Sequence, residues 1–406
     1  MTLSRRNLIA LGAGSALVPC APGLRVAMGA TPGTKNNVLV FLYLRGGMDG
    51  LQMVAPADDG NYHDNRPTIG VRSDGLTAGY NVGALDGTQF FIHPLAGRLK
   101  TLFDQKSLAI IHAVGVPTDS RSHFEAQALV DKGMASHEQE MGNGWLARHI
   151  TIRPGPLGDF AATTDVSTGS SALVGVPGLI PTTGLEYLPN TLLPERAALI
   201  TALNSGTAPS AVSARNTVKL LDTVREKSKN LPPDPGGNGS YSFNALSQNM
   251  KSLAHVLKFD LGVEAAIVDN TGVWDTHENI PQYFSNAARE LSTALYAFTQ
   301  DVGPEVMSRV TIVAMTEFGR RVEENSNGGT DHGSASTMMV LGAGVNGGKI
   351  YGQWPGLASK NLNGGDLAVT TDYRQVLAEV LVKRMGQSAI DQIFPTIKYA
   401  PLGLAR

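Results

Sequence analysis

Cysteine is almost missing from this chain. Its 406 residues hold one, Cys20, which excludes an intrachain disulfide. Excess charge of either sign is missing too. Thirty-three Lys and Arg stand against 35 Asp and Glu, a formal net charge of −2. A dedicated nucleic-acid binder carries a basic excess, so no nucleic-acid partner is expected. Beyond the first thirty residues, no apolar run reaches the roughly 20 residues that span a bilayer as a helix. Disorder is excluded by content: 42% of residues are apolar and 17% charged. Glycine is plentiful at 46 residues, which predicts many loops and tight turns.

Residues 1–30 read as an export signal. The basic pair Arg5-Arg6 precedes the apolar run from Leu8 to Val18, and the small residues Ala27, Gly29 and Ala30 follow. Paired arginines after Ser4, then Asn7, Leu8 and Ile9, resemble a twin-arginine signal. That route carries folded proteins, often with a metal or cofactor in place. The expected location is periplasmic or extracellular. Cleavage near Ala30 would leave a mature chain, 31–406, with no cysteine and no transmembrane segment. The bland alternative is an uncleaved amphipathic anchor.

Short, continuous apolar runs predict buried strands at 36–44, 107–114, 265–268, 310–315 and 338–341. Strands without alternation are covered on both faces, as in a parallel sheet. Helical spacing marks 123–132, 211–227, 243–258, 283–299 and 372–385, with Asp372 as an N-cap. The alternation predicts an α/β sandwich, and the unbroken strands predict a mostly parallel central sheet. A loop excursion near 58–93 and a cap insertion near 154–240 are expected to roof the site. Ligands in such sheets bind at the carboxyl ends of the strands.

Chemistry-bearing residues fall just after those runs. Arg45 and Asp49 follow the first, Asp49 between glycines; an Asp-Gly turn explains it equally well. Ser120, Arg121, Ser122 and His123 follow the second, where a helix begins. A hydroxyl there suits a nucleophile or an anion site. A plain cap, with Glu125 completing a capping box from Ser122, suits it as well. His123 reads as a base, a ligand or a packed helix residue. Asp275 and His277, two apart after the third run, would leave one face of an extended segment and reach one ion. Glu317 follows the fourth run, balanced by Arg320 or by a metal. Asp331 and His332 lie in a glycine-rich turn. Together Asp49, Asp275, His277, Glu317, Asp331 and His332 would suffice for one or two divalent ions, zinc or manganese by donor type.

These segments in this order resemble the domain of unknown function 1501 family of twin-arginine-exported proteins. They are LRGGMDGL (44–51), SRSHFEAQ (120–127), WDTH (274–277), TEFGRRVEEN (316–325), GTDHGSAS (329–336), GGKIYGQWPGL (347–357) and TTDYRQVLAEVL (370–381). The family is grouped with the alkaline phosphatase and sulfatase superfamily. The resemblance implies an alkaline phosphatase-like three-layer sandwich, a mixed sheet with helices on both faces, and a metal-assisted esterase site with a Ser, Thr or Cys nucleophile at a helix start. By that resemblance Asp49 holds one ion, Ser122 or Ser120 attacks, and Asp275 and His277 serve the other ion. The superfamily separates that last pair by three residues, and here one intervenes. By motif Asp331-His332 resembles the superfamily's aspartate-histidine pair; aligned by strand order, Glu317-Phe318-Gly319 takes that place, Phe318 replaces a ligand and His332 is the late histidine of the other ion.

The leading expectation is an exported metallohydrolase of phosphate or sulfate esters, with Arg45 or Arg121 clamping the anionic ester. A binding or assembly protein on the same fold, with a periplasmic protein partner, is the rival. A transferase moving phosphate groups onto a surface polymer is the third reading.

Overall fold

The computed structural model describes residues 24–28, 33, 35–118, 120–136, 141–152, 172–173, 180–181 and 194–406. Most of the expected export signal and much of the expected cap segment lie outside these residues.

The strands are β1 (Leu24–Met28), β2 (Val38–Leu44), β3 (Val54–Ala55), β4 (Tyr80–Leu85), β5 (Thr88–Ile92), β6 (Leu108–Gly115), β7 (Ile180–Pro181), β8 (Val263–Asn270), β9 (Val310–Met315), β10 (Ser336–Gly342), β11 (Lys349–Tyr351) and β12 (Thr371–Asp372). The principal helices are α1 (Gly97–Asp104), α2 (His123–Lys132), α3 (Trp145–Ile152), α4 (Pro194–Leu203), α5 (Pro209–Ser228), α6 (Ala245–Lys258), α7 (Ile280–Met307) and α8 (Tyr373–Met385).

The central sheet runs β11-β6-β10-β9-β2-β8-β1-β7, with β12 also on β6. All seven residues of β2 are buried, and their sides alternate. Val38, Val40, Leu42 and Leu44 enter one core, where α1, α6 and α7 supply Leu102, Leu253 and Phe298. Leu39, Phe41 and Tyr43 enter the other, against Leu129 of α2, Trp145 of α3 and Val380 of α8. Two covered faces explain an unbroken apolar run, since neither side of the strand meets water. The fold is therefore α/β, with helices on both sides of the sheet.

The sheet is mixed, as the family resemblance implies, rather than mostly parallel as the unbroken apolar runs suggest. β2 runs parallel to β8 and β9, but β10 is antiparallel to both β9 and β6, and β1 is antiparallel to β8. Two reversals through β10 leave β6 pointing the same way as β9. The carboxyl ends of β2, β6, β8 and β9 thus share one edge.

Segment 58–93 holds more structure than a loop. β4 and β5 form a hairpin about Asp86-Gly87, both at positive φ (49° and 83°), and β3 joins it as a third strand. That is the two-residue turn favoured by strand twist. The segment buttresses the site loops instead of roofing them. Arg66 donates to the carbonyls of Arg321 and Val322, and Thr68 and Ile69 donate to Glu324.

Asp372 accepts from the Arg374 amide at 2.9 Å and starts α8, which ends at Gly386 with φ 66°. Helix α7 runs past its expected end and breaks at Gly303-Pro304. Strand β1 falls inside the stretch expected to be export signal. Leu24, Val26 and Ala27 are buried there. Among the described residues, no helix is long and apolar enough to cross a membrane.

Candidate metal centre

Three of the four loops at the shared edge bring imidazoles to one carboxylate oxygen. Asp275 Oδ1 lies 3.0 Å from His277 Nε2, 3.1 Å from His332 Nε2 and 3.5 Å from His123 Nε2. His277 Nε2 and His332 Nε2 stand 3.0 Å apart. His123, Asp275 and His332 form a group whose ligand atoms all lie within 4.8 Å of one another.

The other ring nitrogens fix the protonation of each imidazole. His123 Nδ1 lies 2.8 Å from Glu317 Oε1, His332 Nδ1 2.8 Å from the Arg121 carbonyl, and His277 Nδ1 3.2 Å from Asp331 Oδ1. Those oxygens only accept, so each Nδ1 carries a proton and donates. A neutral ring then presents Nε2 as an acceptor, and a protonated ring of His277 or His332 donates it to Asp275 Oδ1. His123 Nε2 is buried with no hydrogen-bond partner.

Glu317 is a positioning group, not a member of the cluster. It is fully buried, and its oxygens accept from Gly46 N–H, Gln127, His123 and Thr316. Burial alone would raise its carboxyl, but the bonds from His123 and Gln127 outweigh that and hold it below the usual range. The same bond raises His123, although burial opposes it. His332 is lowered, chiefly by burial. Asp275 is half-exposed. Burial would raise it, yet the Arg320 guanidinium and the facing imidazoles hold it far below the ordinary value. Asp331 is lowered by its bonds from Asn325 and His277.

Arg320, fully buried, binds the loops after β2, β8 and β9 together. It donates to the carbonyls of Gly46, Gly47, Trp274 and Thr330, and to Asp275 Oδ1 at 2.6 Å. It is one of the two partners the sequence offers Glu317, the other being a metal, and it pairs with Asp275 instead. Asn325 ties the same region, donating to the His277 carbonyl and to Asp331. Phe318 supplies no donor atom. It stacks on His123 at 4.7 Å and tilts against His332 at 4.9 Å.

Two glycines make the crowding feasible. Gly47 has φ 67°, and a Cβ there would lie 2.6 Å from the Phe318 ring; at Gly329 a Cβ would lie 2.1 Å from the His277 backbone.

Two expected members are spent elsewhere. Asp49 caps the helical turn Gly50–Met53, accepts from Thr330, and lies 2.9 Å from the buried Arg66. That distance makes a charge pair, though the atoms are not aligned as a hydrogen bond. Its carboxylate is neutralised without joining the cluster. Arg45 is no free anion clamp. It pairs with Asp269 and Asp131, bonds Gln127 and lies over the Tyr43 ring. Arg121 is available at the rim, its side chain 41% exposed and paired with buried Asp366. Of the two serines, Ser120 bonds Glu125 at 2.5 Å, so the expected Ser122–Glu125 box is not made. Ser122 precedes His123 and makes no side-chain cap bond.

Sequence reasoning left His123 open and passed over Gln127 and Asn325. His123 and Gln127 are four apart on one helix, the spacing that puts both on Glu317. Beside the cluster opens a cleft of about 390 Å³, lined by Asp275, His277, Glu278, Tyr283, Asn286 and Glu290.

Residues 188–386 match the family model described as "Protein of unknown function (DUF1501)". The match spans the Trp274–His277, 316–336 and 347–381 motifs. No curated protein matches the chain.

Proposed function

We propose that this protein is an exported, metal-dependent hydrolase of phosphate or sulfate esters on an alkaline phosphatase-like fold. One observation carries the metal. His277 and His332 bring their Nε2 atoms within 3.0 Å of each other, with a carboxylate oxygen 3.0–3.1 Å from both. With both rings neutral and protonated at Nδ1, these acceptors repel unless a cation lies between them. Donors 2.0–2.1 Å from a tetrahedral zinc lie about 3.3 Å from each other, so these separations suit one small divalent ion. The orphaned Nε2 of His123 adds a further donor. Imidazole with carboxylate favours zinc or manganese over calcium.

A divalent ion in such a site acts as a Lewis acid toward a phosphoryl or sulfuryl oxygen. The chain's own groups supply the rest. Glu317, Asp331 and the Arg121 carbonyl hold the imidazoles in the Nδ1–H tautomer. Arg121 offers a half-exposed guanidinium to an anionic ester. Ser122, at the start of α2, has the freer hydroxyl of the two and is the proposed nucleophile. With Asp49 bound to Arg66, one ion fits these residues better than two.

The test is metal content of the purified protein together with turnover of generic phosphate and sulfate esters. We expect one zinc or manganese per chain, and turnover lost on Asp275→Ala. Metal-free protein, with Asp275→Ala equal to wild type, sinks the reading. The rival of a binding protein rests on Arg320. A buried guanidinium 2.6 Å from Asp275 Oδ1 already satisfies part of that carboxylate's charge. Metal retained without turnover of any ester, alongside recovery of a periplasmic partner, favours that rival. Product formed only with an added acceptor indicates the surface-polymer transferase.

A further inference from the structure

Strand β1 does not sit at the margin of the sheet. Leu24 to Met28 pair antiparallel with β8, from Leu24 opposite Val268 to Met28 opposite Val263. On its other side β1 pairs with β7, Arg25 opposite Pro181 and Val26 opposite Ile180. Leu24 and Val26 point into one core and Ala27 into the other. The Arg25 guanidinium pairs with Asp269, a carboxylate only 7% exposed that also binds Arg45. Five residues thus contribute to both cores, two strand partners and one buried ion pair.

Without this segment β8 would become an open edge. All eight of its residues are buried, and its row of backbone groups would face solvent or another chain. Such a long apolar edge is an aggregation template.

Beyond the apolar run that ends at Val18, the sequence offers two places with small residues at the last and third-last positions of a removable leader. Ala21-Pro22-Gly23 ends just before β1, and Ala27-Met28-Gly29 runs out of β1 itself. A peptidase needs an extended, accessible segment, and a strand paired on both sides is neither free nor accessible. A chain that folds before export meets the peptidase with β1 already in the sheet.

We infer that the export leader is cut after Gly23, so that the mature protein begins at Leu24 and keeps β1 as a working strand of its sheet. This moves the boundary from the vicinity of Ala30. The inference rests on the export part of the reading above and not on the ester chemistry.

The full-length chain is expressed in a bacterium with a twin-arginine export route, and periplasmic protein is analysed by intact mass and N-terminal sequencing. The expected first residue is Leu24. Ala21→Leu is expected to abolish that cut and leave a longer chain, whereas Gly29→Leu leaves the Leu24 terminus unchanged. A folded product starting at Ala30 or Thr31 overturns the inference. So does a chain that retains Met1, and so does an Ala21→Leu variant processed like wild type. Metal content and ester turnover have no bearing on these readouts.

Discussion

At the scale of single residues, burial and pairing separate chemistry from support. Asp49 and Arg66 are a buried pair whose partners come from different segments. Arg66→Met would leave the Asp49 carboxylate buried beside an apolar side chain. Breaking a buried pair from one side costs about 3–5 kcal/mol. We expect a loss of that order in urea unfolding, partly restored by adding Asp49→Asn, and little change in metal content per folded molecule. Glu317→Gln should behave in the opposite way. The amide still accepts from His123 but loses the charge that strengthens the bond. An outer partner of a ligating histidine is worth roughly 10–100-fold in metal affinity. The expected result is a Kd for zinc raised by that factor, with a melting temperature close to wild type in metal-free buffer. An unchanged Kd would place His123 outside the metal's reach.

At the scale of elements, apolar runs announced β2, β6, β8, β9 and β10 because both faces of the sheet are covered and no polar alternation interrupts them. Their directions were not legible. Strand order and polarity depend on connections through segments such as β10, and nothing in Ser336–Gly342 itself says which way it runs. The β4–β5 hairpin was hidden by glycines at 79, 83 and 87, although Asp86-Gly87 carries the usual turn signal. Part of the expected group was legible from the loops: Asp275 and His277, in the loop after β8, meet Asp331 and His332, in the glycine-rich turn before β10. The same rule misplaced Asp49 and Arg45, because Arg66, Asp131 and Asp269 reach them from afar. His123 was obscured by its place at the start of a helix. Close approach of these elements also sets a test. A methyl at Gly329 would sit 2.1 Å from the His277 backbone. Gly329→Ala should push the two loops apart, costing about 1–3 kcal/mol as overpacking does. Metal content should fall with it, whereas Gly328→Ala, with open space around its Cβ, should pay only for its φ of 66° and keep the metal.

At the scale of the whole molecule, two histidines away from the cluster couple stability to pH. His112 is fully buried in β6 between Phe90 and Trp354; its Nε2–H donates to the Val54 carbonyl and its Nδ1 accepts from Ala113 N–H. Burial pushes it down to about 4, against small opposing help from the Val54 bond and the Asp49 charge. His93, packed on Phe284 beside Ser285, is likewise pushed down to about 4 by burial, with Arg289 adding to the effect. Both folded values lie below the ordinary 6.5, so between the two the unfolded chain binds protons that the native protein refuses. The stability these neutral rings contribute is therefore full above about pH 6.5 and declines as pH falls toward 4. Each histidine contributes a slope on the order of 1 kcal/mol per pH unit inside that window. Unfolding free energies measured in urea at intervals from pH 7.5 to 4.5 should fall steadily. His112→Gln, which keeps a donor toward Val54 but cannot be protonated, should be less stable at pH 7.5 and show a shallower decline. A wild-type profile flat from pH 7.5 to 5, or a variant whose slope equals it, would mean that His112 takes up its proton in the folded state as readily as in the unfolded chain.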